Sequence, residues 1–451
     1  MRRFERAGAA EQVIEQRRRL ERLFRHAADT TDFWRSRLAA VDRLEQLPPV
    51  GKDELEKGFP DRVVSRTAHP PDLRLAATRG TTQRMICVHD FAKRDAIRAA
   101  MVRTLEVAGF RIGRRMVEIP PDVCDVVCGD LGEKDESVWR HLAQTLRDRK
   151  LRDPNSLRDL RGLIERRWVY NRVNYPPFGA GGSNPGPERL GMYTDRMRRD
   201  RPYLVKGLTT YLHQIAKHAL ATGAAPLGVA IVKPLGSGAT PTMRRTIETG
   251  LGGRYIDDYG SAELGPIAAG CGDSVGCHVF TDLFVVEVLD ADGRPCAEGE
   301  LGEVVVTDLI NYAMPLIRYR IGDLGRLLHE PCPCGRPAPR LQLEGRVHDA
   351  LVGADGTRVS SFAIAERLHR LPFVDEFQIV ERPDSSLVLT LTPTPNASPD
   401  EAAARDAIAE ELGPGRVVSV KTARTLPPEP GGKFRWVKPT RLTAPASLSP
   451  G

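Results

Sequence analysis

Apolar positions in the first 45 or so residues recur at helical intervals. Glu11–Arg25 is charged with a helical apolar pattern, and Phe33-Trp34 follow as expected core anchors. A proline-rich joint, Leu47-Pro48-Pro49-Val50, ends this region. From there to about residue 345, short apolar runs alternate with helical stretches: Met85–Val88 then Phe91–Ala108, and Val229–Val232 then Thr242–Gly250. Such alternation predicts an α/β architecture with mostly parallel sheets. Pro176–Gly186 reads as a long loop from its proline, glycine and asparagine content. Beyond residue 345 the pattern changes. Phe362–Leu371 and Pro399–Leu412 read as helices, and Phe377–Val380, Leu387–Leu391 and Val417–Val420 as strands. The expected organisation is a large N-terminal domain over residues 1–345, a small α+β domain over 346–438 able to move as a lid, and a disordered tail over 439–451.

Composition narrows this picture. The chain has 451 residues, enough for more than one core, with 41% hydrophobic and 28% charged residues, as in a soluble protein. It has no apolar run long enough to span a bilayer, and Met1-Arg2-Arg3-Phe4-Glu5-Arg6 lacks the apolar core of a signal peptide. These features predict a cytoplasmic protein with reduced thiols and no membrane partner. A net charge of +7 fits nucleic acid or a phosphate-bearing substrate; no nucleic-acid-binding signature accompanies it, so no nucleic-acid partner is expected.

Several short segments carry candidate chemistry. In Ala77-Thr78-Arg79-Gly80-Thr81-Thr82-Gln83, hydroxyls and amides around a glycine can wrap a polyphosphate, and Arg79 can add positive charge. Tyr259-Gly260-Ser261-Ala262-Glu263 offers an aromatic face for a base and a carboxylate for a hard cation. Arg318-Tyr319-Arg320-Ile321-Gly322-Asp323 presents a carboxylate at a turn, followed later by Gly345-Arg346 and by Gly431-Gly432-Lys433.

Together these segments resemble the adenylate-forming ligases, specifically the phenylacetate–CoA ligase branch, with an ending closer to its CapK-like subgroup. The resemblance runs from Leu47-Pro48-Pro49-Val50-Gly51-Lys52 to the late lysine. It implies that Thr78, Gly80, Thr81 and Thr82 hold phosphates, that Tyr259 lies against the adenine, and that Gly260 and Ser261 belong to the same nucleotide site. Glu263 would bind Mg²⁺, Asp323 both ribose hydroxyls, and Arg346 the nucleotide near the domain junction. Lys433 would bridge the substrate carboxylate and the α-phosphate. Arg79, Gln83 and His348 depart from the family pattern. Pocket-lining positions are expected in Tyr170–Gly182 and Pro234–Ala239.

Three thiolates and one imidazole form a recognised structural zinc set. Members of this branch often show the same pattern, which selects Cys271, His278, Cys332 and Cys334, with Cys277 competing with His278. Cys87, Cys124, Cys128 and Cys296 are expected to be core or incidental, and His89, His141 and His213 structural.

The function implied is ATP- and Mg²⁺-dependent activation of a carboxylic acid as its acyl-adenylate, followed by transfer to a nucleophile, foremost the thiol of CoA. An amine acceptor giving an amide is an alternative, as is a degenerate non-catalytic binding protein. A homodimer stays open.

Overall fold

The computed structural model describes residues 8–77, 85–120, 143, 146–147, 160–162, 164–176, 186–236, 238–394, 396–426 and 435–440. The chain divides into two units, one made of Met1–Thr104, Gly238–Met243 and Asp258–Gly451, the other of Leu105–Ser237 and Arg244–Asp257. Among the described residues no helix is long and apolar enough to cross a membrane.

The first unit starts with helices α1 (Ala9–Thr30) and α2 (Asp32–Leu38). The expected single helical region is broken at Thr31, which sits in extended backbone. Its hydroxyl accepts the Trp34 amide at 3.3 Å, an N-cap that starts α2 afresh. Trp34 is fully buried, and its indole N–H donates to the Pro315 carbonyl at 3.0 Å. The proline-rich joint turns out to be a strand-like stitch. Val50 N donates to Arg318 O at 2.8 Å and Arg320 N to Val50 O at 2.9 Å, which places α3 (Lys52–Gly58) beside the start of a later strand. Strands β1 (Arg74–Ala77) and β2 (Ile86–His89) pair antiparallel, and α4 (Phe91–Val107) follows.

The second unit is built on a parallel five-stranded sheet ordered β4-β3-β5-β6-β7. Its elements are β3 (Met116–Ile119), β4 (Arg172–Asn174), α5 (Pro187–Asp200), β5 (Leu204–Leu208), α6 (Thr209–Ala221), β6 (Ile231–Leu235), α7 (Pro241–Leu251, which begins in the first unit) and β7 (Arg254–Tyr255). β5 and β6 are buried almost end to end, as strands covered on both faces must be.

The first unit resumes with β8 (Asp258–Ser261), β9 (Gly265–Ala269), β10 (Cys277–Val279), β11 (Phe284–Leu289), β12 (Gly302–Asp308), β13 (Tyr319–Leu328) and β14 (Arg340–Arg346). They form a seven-stranded sheet ordered β11-β12-β13-β14-β10-β9-β8. Every pairing in it is antiparallel, so mostly parallel order holds for the other unit's sheet and not here. No helix separates these strands, and parallel order needs long crossovers.

The C-terminal part carries β15 (Leu351–Val352), β16 (Arg358–Val359), α8 (Ser361–His369), β17 (Val374–Glu381), β18 (Leu387–Pro393), α9 (Glu401–Leu412), β19 (Val418–Thr422) and β20 (Val437–Lys438). Its four-stranded sheet runs β19-β18-β17-β20. Leu351, Ile364, Leu368, Phe377, Leu389, Ile408 and Val437 close a core of its own, the α+β pattern expected from the sequence. Ser360 and Asp400 cap the two helices by accepting the amides of Ala363 and Ala403, each at 3.0 Å.

Candidate functional site

Two glycines shape the turn that carries Glu263. A side chain at Gly260 would meet the Gly265 carbonyl at 2.5 Å, so only glycine lets β8 and β9 close here. Gly265 adopts φ +75°, the left-handed conformation that glycine takes without strain. Between them Ser261 accepts the Leu264 amide at 3.2 Å, and Glu263 lies at the turn, 3% exposed.

The carboxylates of Glu263 and Asp323 are bound crosswise to two tyrosines. Tyr319 donates to Glu263 Oε1 at 2.9 Å, and Tyr259 donates to Asp323 Oδ2 at 2.8 Å. β8 and β13 are four places apart in the sheet order, which in a flat sheet means about 19 Å at ~4.8 Å per strand. Tyrosine cannot reach that far, so the sheet rolls until its two motifs face each other. Lys52 Nζ lies 3.9 Å from Glu263 Oε1, and Arg346, paired in register with Asp323, brings Nε within 3.6 Å of Asp323 Oδ1. Among the described residues no partner reaches Glu263 Oε2, which leaves one oxygen for a hard cation.

Burial pushes the Asp323 carboxyl above its ordinary value, and the Arg346 guanidinium works against that rise. Burial, followed by the neighbouring carboxylate charges, raises both Tyr259 and Tyr319, so both phenols remain protonated donors at neutral pH. The Glu263 carbonyl is held separately: His89 Nε2 lies 2.7 Å from it, and the Cys87 thiol lies 3.9 Å away.

A second cluster sits where β9, β10 and the β13–β14 connection converge. The ligand atoms of Cys271, His278, Cys332 and Cys334 all lie within 4.8 Å of one another. Cys271 and Cys332 sulfurs are 3.6 Å apart, and Cys334 Sγ is 3.2 Å from His278 Nε2. Two thiolates on a tetrahedral zinc, each at ~2.3 Å, would be about 3.8 Å apart, so the set fits that ion. His278 Nδ1 lies 3.1 Å from the Ala338 carbonyl; donating there leaves the Nε2 lone pair for a metal. Burial lowers the imidazole's proton affinity and favours that neutral form. Burial raises the Cys332 thiol, but the Ser274 hydroxyl and the neighbouring cysteines outweigh it and bring it to about 7. Cys277 precedes His278 on β10, so its side chain points to the opposite sheet face and stands outside the cluster.

No protein-family model matches the chain. Phenylacetate-coenzyme A ligase from Thermus thermophilus is 32% identical over 241 residues, 49% of this chain and 54% of that protein. Protein CapK from Staphylococcus aureus is 26% identical over 169 residues, 36% of this chain and 35% of its own. The chain thus spans about half the length of the first of these relatives. The structure of 2-hydroxyisobutyryl-CoA ligase in the postadenylation state in complex with R3-HIB-AMP superposes with a TM-score of 0.72 at 21% identity, covering 97% of this chain and 92% of that one. The chain shares the fold of this CoA ligase, and about half of it is similar in sequence to phenylacetate-coenzyme A ligase. Amide bond synthetase McbA from Marinactinospora thermotolerans shares the ligase fold with a TM-score of 0.56 at 20% identity, covering 84% of this chain and 69% of that one.

Of the nucleotide residues expected for a ligase, Tyr259, Gly260, Ser261, Glu263, Asp323 and Arg346 are brought together. Thr78, Gly80, Thr81, Thr82 and Lys433 lie outside the described residues, as do Arg79 and Gln83. So do Cys124, Cys128 and His141, and much of Tyr170–Gly182. His348 occupies a short turn, Val347–Asp349, where Arg435 donates to Asp349 Oδ1 at 2.5 Å. Sequence reasoning assigned no role to Lys52 or Tyr319 and expected His89 to be structural. The available signals were slight: a lysine after a proline pair, a tyrosine inside a quoted motif, and a histidine ending a strand.

Proposed function

We propose that the protein activates a carboxylic acid with ATP. A carboxylate oxygen of the acid attacks the α-phosphorus, the bond to the β-phosphate oxygen breaks, and pyrophosphate leaves. A thiolate, that of CoA, then attacks the acyl carbon of the adenylate and AMP departs. The observation that carries this reading is the crossed pair, Tyr319 on Glu263 and Tyr259 on Asp323, with one carboxylate oxygen left open and Arg346 beside the other carboxylate.

In this reading Asp323 accepts from the ribose hydroxyls, Tyr259 and Arg346 keep its oxygens oriented, and Tyr259 flanks the base. Glu263 would hold Mg²⁺, which would supply neutralisation of the charge building on the phosphates. Lys433 and residues 78–83 take the roles the family resemblance gives them. Cys271, His278, Cys332 and Cys334 hold a structural zinc ion. The relatives' names support CoA as acceptor, while McbA, named an amide bond synthetase, keeps an amine acceptor as the second reading. A cytoplasmic site, where thiols stay reduced, suits both the cluster and CoA.

Pyrophosphate release measured over a panel of aryl and aliphatic acids tests the first half-reaction. Mass spectrometry of products formed with CoA, or with amines in its place, tests the second. Absence of pyrophosphate with every acid would count against catalysis; ATP binding without release would favour the non-catalytic reading.

A further inference from the structure

The turn at residues 262–264 between β8 and β9 leaves the Glu263 carbonyl without a ladder partner, because the antiparallel pairing ends at Ser261 and Gly265. That carbonyl receives His89 Nε2 at 2.7 Å. A carbonyl offers only lone pairs, so Nε2 must carry the proton and donate. His89 is 5% exposed and is the last residue of β2, the strand that follows the candidate phosphate loop at residues 78–83. The same strand end is pinned from another side. Asn311 Nδ2 donates to Val88 O at 3.0 Å, and the Asp90 carboxylate caps α4 by accepting the Lys93 amide at 2.7 Å. Lys93 in turn reaches Asp308 Oδ2 at 2.5 Å, so the wall behind Glu263 is a bonded set of polar groups and not loose packing.

We propose that His89 is a positioning residue for Glu263: by fixing its carbonyl while Tyr319 fixes Oε1, it holds the Glu263 carboxylate in the orientation that a nucleotide-bound cation would need. This rests on the nucleotide site proposed above. Partners one step removed from a metal ligand are worth about ten- to a hundredfold in metal affinity or activity, which sets the size of effect to look for.

The test is nucleotide binding by calorimetry on the full chain, with Mg²⁺ and with EDTA. His89→Leu removes the donor; His89→Gln keeps one, since the Gln amide nitrogen can replace Nε2. With Mg²⁺, H89L should weaken ATP binding by about tenfold and H89Q should restore most of it. In EDTA, wild type and H89L should bind alike. Adding H89L to Glu263→Gln should cost nothing further, because the carboxylate it aims is already gone. ¹⁵N-histidine NMR should show His89 as the Nε2–H tautomer. Unchanged Mg²⁺-dependent affinity in H89L, or an equal loss in EDTA, would overturn the positioning role and leave the function standing. Wild type that binds no ATP with Mg²⁺ would sink both.

Discussion

The Tyr259 hydroxyl donates to Asp323 Oδ2 at 2.8 Å across 64 residues of chain, a bond that exists only because the antiparallel sheet rolls its first strand toward β13. The phenol is buried and raised well above its ordinary range, so it acts as a fixed donor that does not titrate near neutrality. Removing it by Tyr259→Phe leaves Asp323 Oδ2 without that partner. A hydrogen bond to a charged group is worth about 1.5–3 kcal/mol, so ATP affinity should fall roughly tenfold or more. Isothermal titration with ATP checks this; an unchanged dissociation constant would mean that Asp323 needs no orienting partner.

Arg346 governs the charge of the same carboxylate. Burial raises Asp323 and the guanidinium lowers it again, so the ionised form is available over a wider pH range than burial alone would allow. Nucleotide binding that needs ionised Asp323 is present above its pKa and lost as pH falls through it. Arg346→Met raises that pKa further, so the acid limb of the ATP-affinity profile should move to higher pH. Asp323→Asn should abolish the limb while binding weakly at every pH. A limb that stays in place in Arg346→Met would separate Arg346 from Asp323 electrostatically.

How much of this site is legible in sequence follows from range. Tyr259, Glu263, Asp323 and Arg346 stand in short glycine-containing motifs, and it is the resemblance these motifs carry together, not any one segment alone, that implies nucleotide roles for them. The four metal-cluster residues are legible for a related reason, because thiolate and imidazole are scarce and selective ligands. Lys52, Tyr319 and His89 are not, since each acquires its role from a contact with Glu263 that only the folded sheet creates. Strand direction is hidden as well: alternation marks strands and helices, while the antiparallel order of β8–β14 depends on connections too short for crossover helices. Element ends move by a residue or two because caps such as Ser360 and Asp400 set them.

Gly250 offers a test of packing in the second unit. A Cβ there would lie 2.7 Å from the Cα, Cβ and carbonyl oxygen of Ala216, so α6 and α7 touch backbone to backbone. Gly250→Ala must push the helices apart, and overpacking of this kind costs about 1–3 kcal/mol. Gly191, inside α5, is the control: its nearest neighbour is His218 Nε2 at 3.7 Å, an ordinary contact. Gly191→Ala should stabilise by roughly 0.5–1 kcal/mol through helix propensity. Melting temperatures of the two variants should therefore move in opposite directions, and a parallel shift would show that the α6–α7 approach yields to an added methyl.

The cysteine cluster makes the sharpest distinction between neighbours in sequence. Cys277 and His278 are adjacent on β10, yet only the imidazole faces Cys334, because successive strand residues point to opposite faces. If the set holds zinc, protein purified without chelator should carry about one zinc ion per chain by elemental analysis, the stoichiometry of a four-ligand structural site. Cys332→Ser and His278→Ala should lose it; Cys277→Ser should keep it. The bound ion would tie the β9–β10 and β13–β14 connections to strand β10, so its loss should cost stability by linkage. A loss of about 2 kcal/mol would lower the melting temperature by roughly 4–8 °C, with the chelator-treated wild type shifting alike and Cys277→Ser matching untreated protein. Equal zinc loss in Cys277→Ser and His278→Ala would transfer the fourth ligand to Cys277 and require β10 to turn over; zinc absent from wild type would leave four reduced thiol and imidazole groups packed for another reason.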